Sequence, residues 1–434
     1  MRINLNDAAM REFRVGKLFQ ETDQHKSSLD FSSDGSRLLV CDIDALTLYN
    51  CMRPEQLFQI SMKSYQPEVA RFTPNSDRVL HSAGKLDGSI RCLDLNTGVH
   101  LRLFSGHVDK VNALRFQPNC EYHFMSAGYD NQILLWDIRT HTYTHQFSNL
   151  RRPLLAYDPA GLVFAVSSGT ERIDLHDVRM LNELPCLSFK YSSNKLANWT
   201  QMQFSPDGRS LLLATDHSWC FSVDAFDGHF RQAYTGYANE KRLDLQVCYT
   251  PDSKFVLSGA DAGRVHVWRA SDGEQLAVLK GNNAGPIRCL CFNPRYLMFV
   301  SSDLLTLFWV LNPLGDYEVV LKSNALYKPQ PLVNGPQTNP MIGTGNYELE
   351  EGEIDEEYEM EYEEILPQKA ERENVVPWQF MAPLPVFESP VIVGETADDD
   401  DLEEGELSDN NDEDQQCEIV KNQLKKMEIS DKGR

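Results

Sequence analysis

The sequence lacks most of the short signatures that announce common chemistries. It contains no G-x-x-x-x-G-K-[ST], and Gly343 and Gly345 have no lysine after them, so a phosphate-cradling loop is excluded. H-E-x-x-H and C-x-x-C are missing and the 11 histidines are scattered, which leaves no ligand spacing for a dedicated metal site. There is no G-x-S-x-G elbow to present a nucleophilic serine. No apolar run reaches the roughly 18 residues a membrane-spanning helix needs, and the opening MRINLNDAAMREF lacks the apolar stretch of a secretory signal. The 10 cysteines follow no regular framework, and the nearest pair, Cys289 and Cys291, sits in an apolar run that reads as strand, so reduced intracellular thiols are expected. Basic charge is also scarce. With 41 Lys and Arg against 64 Asp and Glu, the net charge of -23 argues against direct nucleic-acid binding, which needs clustered cations to displace counterions from phosphates. A protein without enzymatic activity or cofactor is the expectation.

The acidity is confined to one end. Residues 314–434 hold 31 Asp and Glu against 9 Lys and Arg, a net of -22, which leaves 33 acidic and 32 basic residues for the rest. The first three hundred residues are therefore nearly neutral and the last hundred strongly anionic.

A short turn signature recurs through the neutral part: Phe31-Ser-Ser, Phe72-Thr-Pro, Phe116-Gln-Pro, Tyr157-Asp-Pro, Phe204-Ser-Pro, Tyr249-Thr-Pro and Phe292-Asn-Pro. Successive aromatics are 41, 44, 41, 47, 45 and 43 residues apart. Between them lie short β-branched and aromatic runs such as RLLVCDID and KFVLSGADAGRVHVWRA, each broken by a polar or glycine-bearing turn. That period and content predict four strands per repeat, hence an all-β, seven-bladed β-propeller over residues 11–312. The segment Phe13-Arg-Val-Gly-Lys-Leu-Phe19 precedes the first signature and reads as a strand with no blade of its own. Residues 11–20 are thus expected to close the ring as the outer strand of the last blade, which removes a sheet edge.

One repeat resembles the WD-repeat pattern almost in full, with Gly106-His107 opening it and Trp136-Asp137 closing it. That resemblance implies a buried tetrad of His107, Ser126, Asp130 and Trp136 in which each polar group has a partner; acid–base chemistry by His107 and Asp130 is the competing reading. Other repeats keep the turn aspartate, at Asp42 or Asp44, Asp87, Asp216, Asp261 and Asp303. The repeat frame places Tyr65, Lys85, Lys110, Tyr129, Arg151, Arg152, Trp199, Lys241 and Arg242 on one rim, where aromatic anchors beside cations suit a short peptide carrying carboxylates or phosphates. Packing under a loop is the alternative for Trp199, and simple solvation for the lysines.

Beyond the repeats, five prolines between Pro313 and Pro340 suit an extended linker, residues 313–346. Residues 347–434 are expected to be an acidic, mostly disordered tail, with Leu-Glu-Glu-Gly-Glu at both 349–353 and 402–406. An apolar island at 375–387 offers Trp378, Phe380 and Phe387 as a docking motif, or packs back on the ring.

Residues 11 to 310 resemble the WD repeat-containing protein 82 family. The resemblance rests on Arg11-Glu-Phe-Arg-Val-Gly-Lys-Leu-Phe-Gln-Glu21, Asp224-Ala-Phe-Asp-Gly228, Gly236-Tyr-Ala-Asn239, Tyr249-Thr-Pro-Asp-Ser-Lys-Phe255, Gly285-Pro-Ile-Arg-Cys-Leu-Cys-Phe-Asn-Pro294 and Phe308-Trp309. It implies a nuclear, non-catalytic scaffold of a COMPASS-type histone H3 lysine-4 methyltransferase complex. Its partners would be the methyltransferase catalytic subunit, the phosphorylated C-terminal domain of RNA polymerase II, and the nuclear targeting subunit of protein phosphatase 1. A scaffold in mRNA 3′-end processing, or a substrate receptor for another complex, stays open beside it. The acidic extension departs from the family pattern.

Overall fold

The computed structural model describes residues 5–20, 22–84, 88–191, 197–281 and 285–311, together with the backbone of Val391–Ile392. Each of the seven repeats folds into an antiparallel sheet, and the sheets form the expected β-propeller. Blades are numbered here by their innermost strands, which are Lys26–Phe31, Ala70–Phe72, Val111–Phe116, Leu155–Tyr157, Trp199–Phe204, Val247–Tyr249 and Cys289–Phe292. Every signature aromatic is the last residue of an inner strand. The residue after it closes the hairpin: Ser32, Asp158, Ser205 and Thr250 accept the amide N–H five positions on at 2.9, 2.8, 3.0 and 3.1 Å. A proline next in line presets the φ such a turn wants.

The two middle strands of each blade explain the unbroken apolar runs. In Arg37–Asp42 the side chains of Leu38 and Val40 join the cluster shared with blade 7, whereas Leu39 and Cys41 join the one shared with blade 2. Leu211 and Leu213 likewise face blade 4 while Leu212 and Ala214 face blade 6. Successive side chains of a strand point to opposite faces, and here both faces are covered by a neighbouring blade. One apolar cluster occupies each of the seven seams between blades.

The last seam is closed from the N-terminal end. Phe13–Phe19 pairs antiparallel with Thr306–Leu311 and completes the seventh sheet. Phe13 is fully buried against Phe292 and Phe299, with ring centroids 6.0 and 5.2 Å away. Phe19 packs on both Phe308 of blade 7 and Tyr49 of blade 1, so one strand serves two blades. The register shifts between Val15 and Lys17, and a Cβ on Gly16 would lie 2.7 Å from Val310 Cγ2, so the bulge needs a glycine there. Before this strand, the helix Asp7–Arg11 is capped by Asn6 and held to blade 6 by Asp7–Arg269 and by Arg11 donating to the Leu276 carbonyl. Blade 4 gains a fifth strand, Val391–Ile392, paired with Leu187–Lys190. The remaining positions of the linker and acidic tail, with Trp378, Phe380 and Phe387, lie outside the described residues.

Three core histidines are held neutral by their surroundings. His81 Nδ1 donates to the Ser82 carbonyl at 3.0 Å, which leaves its Nε2 to accept from His100 Nε2 at 2.8 Å. His266 Nδ1 accepts from Gln275 Nε2 at 2.6 Å, and His176 stacks on Phe164 at 5.3 Å. Burial pulls all three down to about 4.

Two outcomes are expected. Phe13→Ala should cost about 3–5 kcal/mol, as truncating a buried Phe does, and should lower the melting temperature of the whole ring; an unchanged melting curve would mean that this strand does not lock it. Because folded pKa values below the ordinary 6.5 make the unfolded chain bind protons first, the histidine contribution to stability is complete above pH 6.5 and is lost as pH falls towards 4. Melting followed from pH 7.5 to 4.5 should therefore show a progressive loss that His81→Gln, His176→Phe and His266→Gln together reduce.

Candidate protein-docking face

At one end of the ring, the loops leading into the inner strands meet the turns between the second and third strands. In blade 3 this meeting is held by a buried relay. Trp136 Nε1 donates to Ser126 Oγ at 2.8 Å, Ser126 Oγ donates to His107 Nε2 at 2.7 Å, and His107 Nδ1 donates to Asp130 Oδ2 at 2.9 Å. Every polar group is satisfied with the imidazole neutral, which agrees with burial holding His107 below its ordinary pKa despite Asp130 beside it. A Cβ on Gly128 would come within 2.6 Å of Asp130 Oδ1 and 2.7 Å of His107 Nδ1, so the strand must carry glycine at that point. The order Ser126, His107, Asp130 mimics an acyl-transfer triad. Ser126 is wholly buried under Trp136, however, and no substrate carbonyl can reach its oxygen.

The turn aspartates repeat one task. Asp130, Asp216 and Asp261 accept the backbone N–H of Val108, Asn198 and Glu240 at 3.0, 2.9 and 3.2 Å, pinning the loop that leads into their own blade. Blade 7 keeps part of the relay, with Trp309 Nε1 donating to Ser301 Oγ at 2.8 Å and Asp303 taken by His25 from the next blade's loop at 2.8 Å. In blade 1 Asp42, not Asp44, does the work: its Oδ1 accepts the amides of Asp44 and Ala45, and its Oδ2 faces Lys26 Nζ at 3.2 Å. Both side chains of that ion pair are almost wholly buried, and Thr22 bonds to each. The pinned loops make a rigid platform.

This end opens into a cavity of about 500 Å3 over the centre of the ring, with Ile43, Glu68, Tyr129, Asp244 and Arg288 on its wall. Lys110 Nζ binds Glu68 Oε1 at 2.7 Å across blades 2 and 3. Burial, then Glu68 and Asp244, push the Tyr129 phenol up, with Arg152 and Lys110 opposing. These groups therefore share one neighbourhood of mixed charge. Ile43 and Tyr129 on its wall are 40% and 48% exposed, and Val108 and Leu304, next to His107 and Asp303 in loops of the same end, are 82% and 40% exposed.

The sequence-derived rim is thus only partly assembled. Lys110, Tyr129 and Arg152 meet at the mouth. Arg151 stands off in solvent, 3.9 Å from Glu171, and Lys241 and Arg242 are exposed on the loop leading into blade 6. Tyr65 and Trp199 are half-buried and make packing contacts. Tyr65 lies against His81 and His100 beneath the Arg91 guanidinium, 4.9 Å from its ring, and Trp199 packs on Tyr191 and Phe221 between blades 4 and 5. Both are large side chains beside an interblade seam, where burying area outweighs display at the surface. Lys85 and Asp87 lie outside the described residues. The apolar anchors Ile43, Val108 and Leu304 were missed, although each adjoins a turn aspartate or the histidine of the relay and could have been found from that spacing. The acidic Glu68 and Asp244 were missed as well, so the mouth is mixed in charge where cations alone were expected.

Radial sheets whose turns are tied by aspartates define a WD-repeat propeller, and the WD domain, G-beta repeat family matches residues 98–137 and 240–269. Over 311 residues the chain is 37% identical to WD repeat-containing protein 82 of Drosophila melanogaster, covering 71% of this chain and 98% of that protein. It is 30% identical over 324 residues to COMPASS component SWD2 of Saccharomyces cerevisiae, again covering 71% and 98%. Set1 complex component swd2 of Schizosaccharomyces pombe is 32% identical over 248 residues, which cover 54% of this chain and 68% of that one. The chain belongs to the WD repeat-containing protein 82 family.

Ser126→Ala should strand both the Trp136 N–H and the His107 Nε2, at roughly 1–3 kcal/mol for each buried group left without a partner. Urea unfolding should show that loss. A midpoint equal to the parent's would mean that the relay contributes no stability.

Proposed function

We propose that this chain is a non-catalytic scaffold subunit of a COMPASS-type histone H3 lysine-4 methyltransferase complex in the nucleus, and that a segment of the methyltransferase catalytic subunit docks on the face just described. The observation that carries the reading is similarity, over 98% and 68% of their lengths, to proteins named as COMPASS and Set1 complex components. The face has suitable chemistry. Exposed Val108, Tyr129, Ile43 and Leu304 provide apolar anchors, and the paired charges around the mouth set orientation and register rather than bulk affinity. Links to the phosphorylated C-terminal domain of RNA polymerase II and to the nuclear targeting subunit of protein phosphatase 1 extend the proposal; the family resemblance supports them. Residues 347–434, apart from Val391–Ile392 on the edge of blade 4, are proposed as a solvated extension that carries its own docking motif at Trp378, Phe380 and Phe387.

Purification of the tagged full chain from its own cells should recover a lysine-4 methyltransferase catalytic subunit. Val108→Asp combined with Tyr129→Ala should reduce that recovery at least tenfold, as loss of a central anchor does, while Arg151→Ala should not. Undiminished recovery by the double variant would overturn the assignment of the face, and absence of methyltransferase from the parent purification would overturn the function.

A further inference from the structure

The residue immediately before each signature aromatic forms a second set at the same spacing: Asp30, Arg71, Arg115, Ala156, Gln203, Cys248 and Cys291. All seven line one cavity of about 480 Å3 in the bore of the ring. The reason is alternation along the inner strand, which sends the aromatic into a seam between blades and its predecessor towards the axis. The cavity therefore holds two guanidinium groups, with Asp158 just after one of the aromatics and Asp30 as the one carboxylate of this inward set.

That carboxylate does not neutralise either cation by contact. Asp30 Oδ2 accepts the Phe72 amide N–H at 2.7 Å, and Asp30 forms no ion pair among the described residues. Each guanidinium is tethered at one corner only. Arg71 Nη1 donates to Ser28 Oγ, Leu29 O and Ala70 O at 2.6, 3.0 and 2.9 Å, and Arg115 Nη1 donates to Leu114 O at 2.9 Å. Their Nε and Nη2 groups meet no protein acceptor among the described residues. Burial, then the charge of Arg71, pulls Arg115 down to about 9, and burial lifts Asp30. The Arg115 shift marks a confined space with a second cation close by, and the Asp30 shift marks its burial, which Arg71 and Arg115 oppose. Asp158, the other carboxylate on the wall, accepts the backbone N–H groups of Ala160, Leu162 and Val163, and burial pushes Cys291 up to about 12 and Cys248 well above its ordinary value, so both thiols stay protonated. Gln203, also on the wall, makes no side-chain hydrogen bond among the described residues, which leaves its amide available as a third donor. Arg71 and Arg115 line the cavity at the docking face too, so the bore is open to small solutes from that end.

We propose that the bore is a binding site for a small oxyanion, gripped between the open edges of Arg71 and Arg115. Planar guanidinium forks match the oxygens of such an anion and form charge-assisted hydrogen bonds with them. A bound anion would tie blade 2 to blade 3 from the inside.

Inorganic phosphate is the probe. In the full chain at constant ionic strength, replacing chloride with phosphate should raise the melting temperature saturably, and calorimetry should show one site. Arg115→Gln should weaken phosphate binding at least tenfold and abolish the thermal shift, yet melt in chloride no lower than the parent, because it removes a cation that burial and the neighbouring Arg71 both disfavour. Arg115→Lys, which keeps the charge and loses the fork, should bind with intermediate affinity, and Arg151→Gln on the outer rim should bind like the parent. Equal effects of phosphate and chloride, or unchanged phosphate affinity in both Arg115 variants, would overturn the site. Arg115 also lines the cavity at the docking face, but these variants leave the anchors Val108, Tyr129, Ile43 and Leu304 intact, so recovery of the methyltransferase subunit is read separately from phosphate binding.

Discussion

Covering both faces of every middle strand is the constraint on which the rest of this structure depends. A sheet whose second and third strands are apolar on both sides is insoluble alone, and it becomes stable only when another sheet lies against each face. Repetition in a row would leave two bare faces at the ends; a ring leaves none. Phe13–Phe19 is where that solution is completed, since it supplies the outer strand of blade 7 and sets Phe19 against Tyr49 of blade 1. The seven seams are consequently not independent. Each blade is folded only as part of the circle.

With the apolar groups committed to the seams, polar groups are left to shape the two ends. The turn aspartates do this by accepting backbone amides from the loops, so segments that would otherwise wander are held by hydrogen bonds that water cannot easily replace. The relay through Trp136, Ser126, His107 and Asp130 is the most complete version of the device, and the Lys26–Asp42 pair is a charged version of it. A platform fixed in this way loses little conformational freedom when a partner binds. Exposed Val108, Tyr129, Ile43 and Leu304 can then act as anchors because their backbones are already in place.

The charge pattern separates three zones that the total of -23 conceals. The outer rim carries paired charges such as Lys110–Glu68, which cancel locally. The bore carries Arg71 and Arg115, with Asp30 and Asp158 bonded to backbone amides and forming no ion pair with either among the described residues. The acidic excess belongs to residues after 314. A mean over the chain predicts none of these, because electrostatic effects depend on distance and on burial more than on totals.

Spacing alone determined the architecture here: aromatics 41 to 47 residues apart, followed by turn formers and short β-branched runs, admit few folds other than a ring of four-stranded blades. The relay residues His107, Ser126, Asp130 and Trp136 came instead from the resemblance of one repeat to the WD-repeat pattern. Only the tertiary structure decided which side chains are displayed. Tyr65 and Trp199 look like rim anchors in a list of residues but are drawn into seams, whereas Ile43 and Leu304 look like core but stand at turn tips. The inner-strand position that lines the bore was legible in principle, as the residue before each aromatic, yet its meaning required knowing that seven separate strands converge on one axis. Local pattern dictates which element forms; which face of it meets water, a neighbour or a cavity depends on residues far away in the chain.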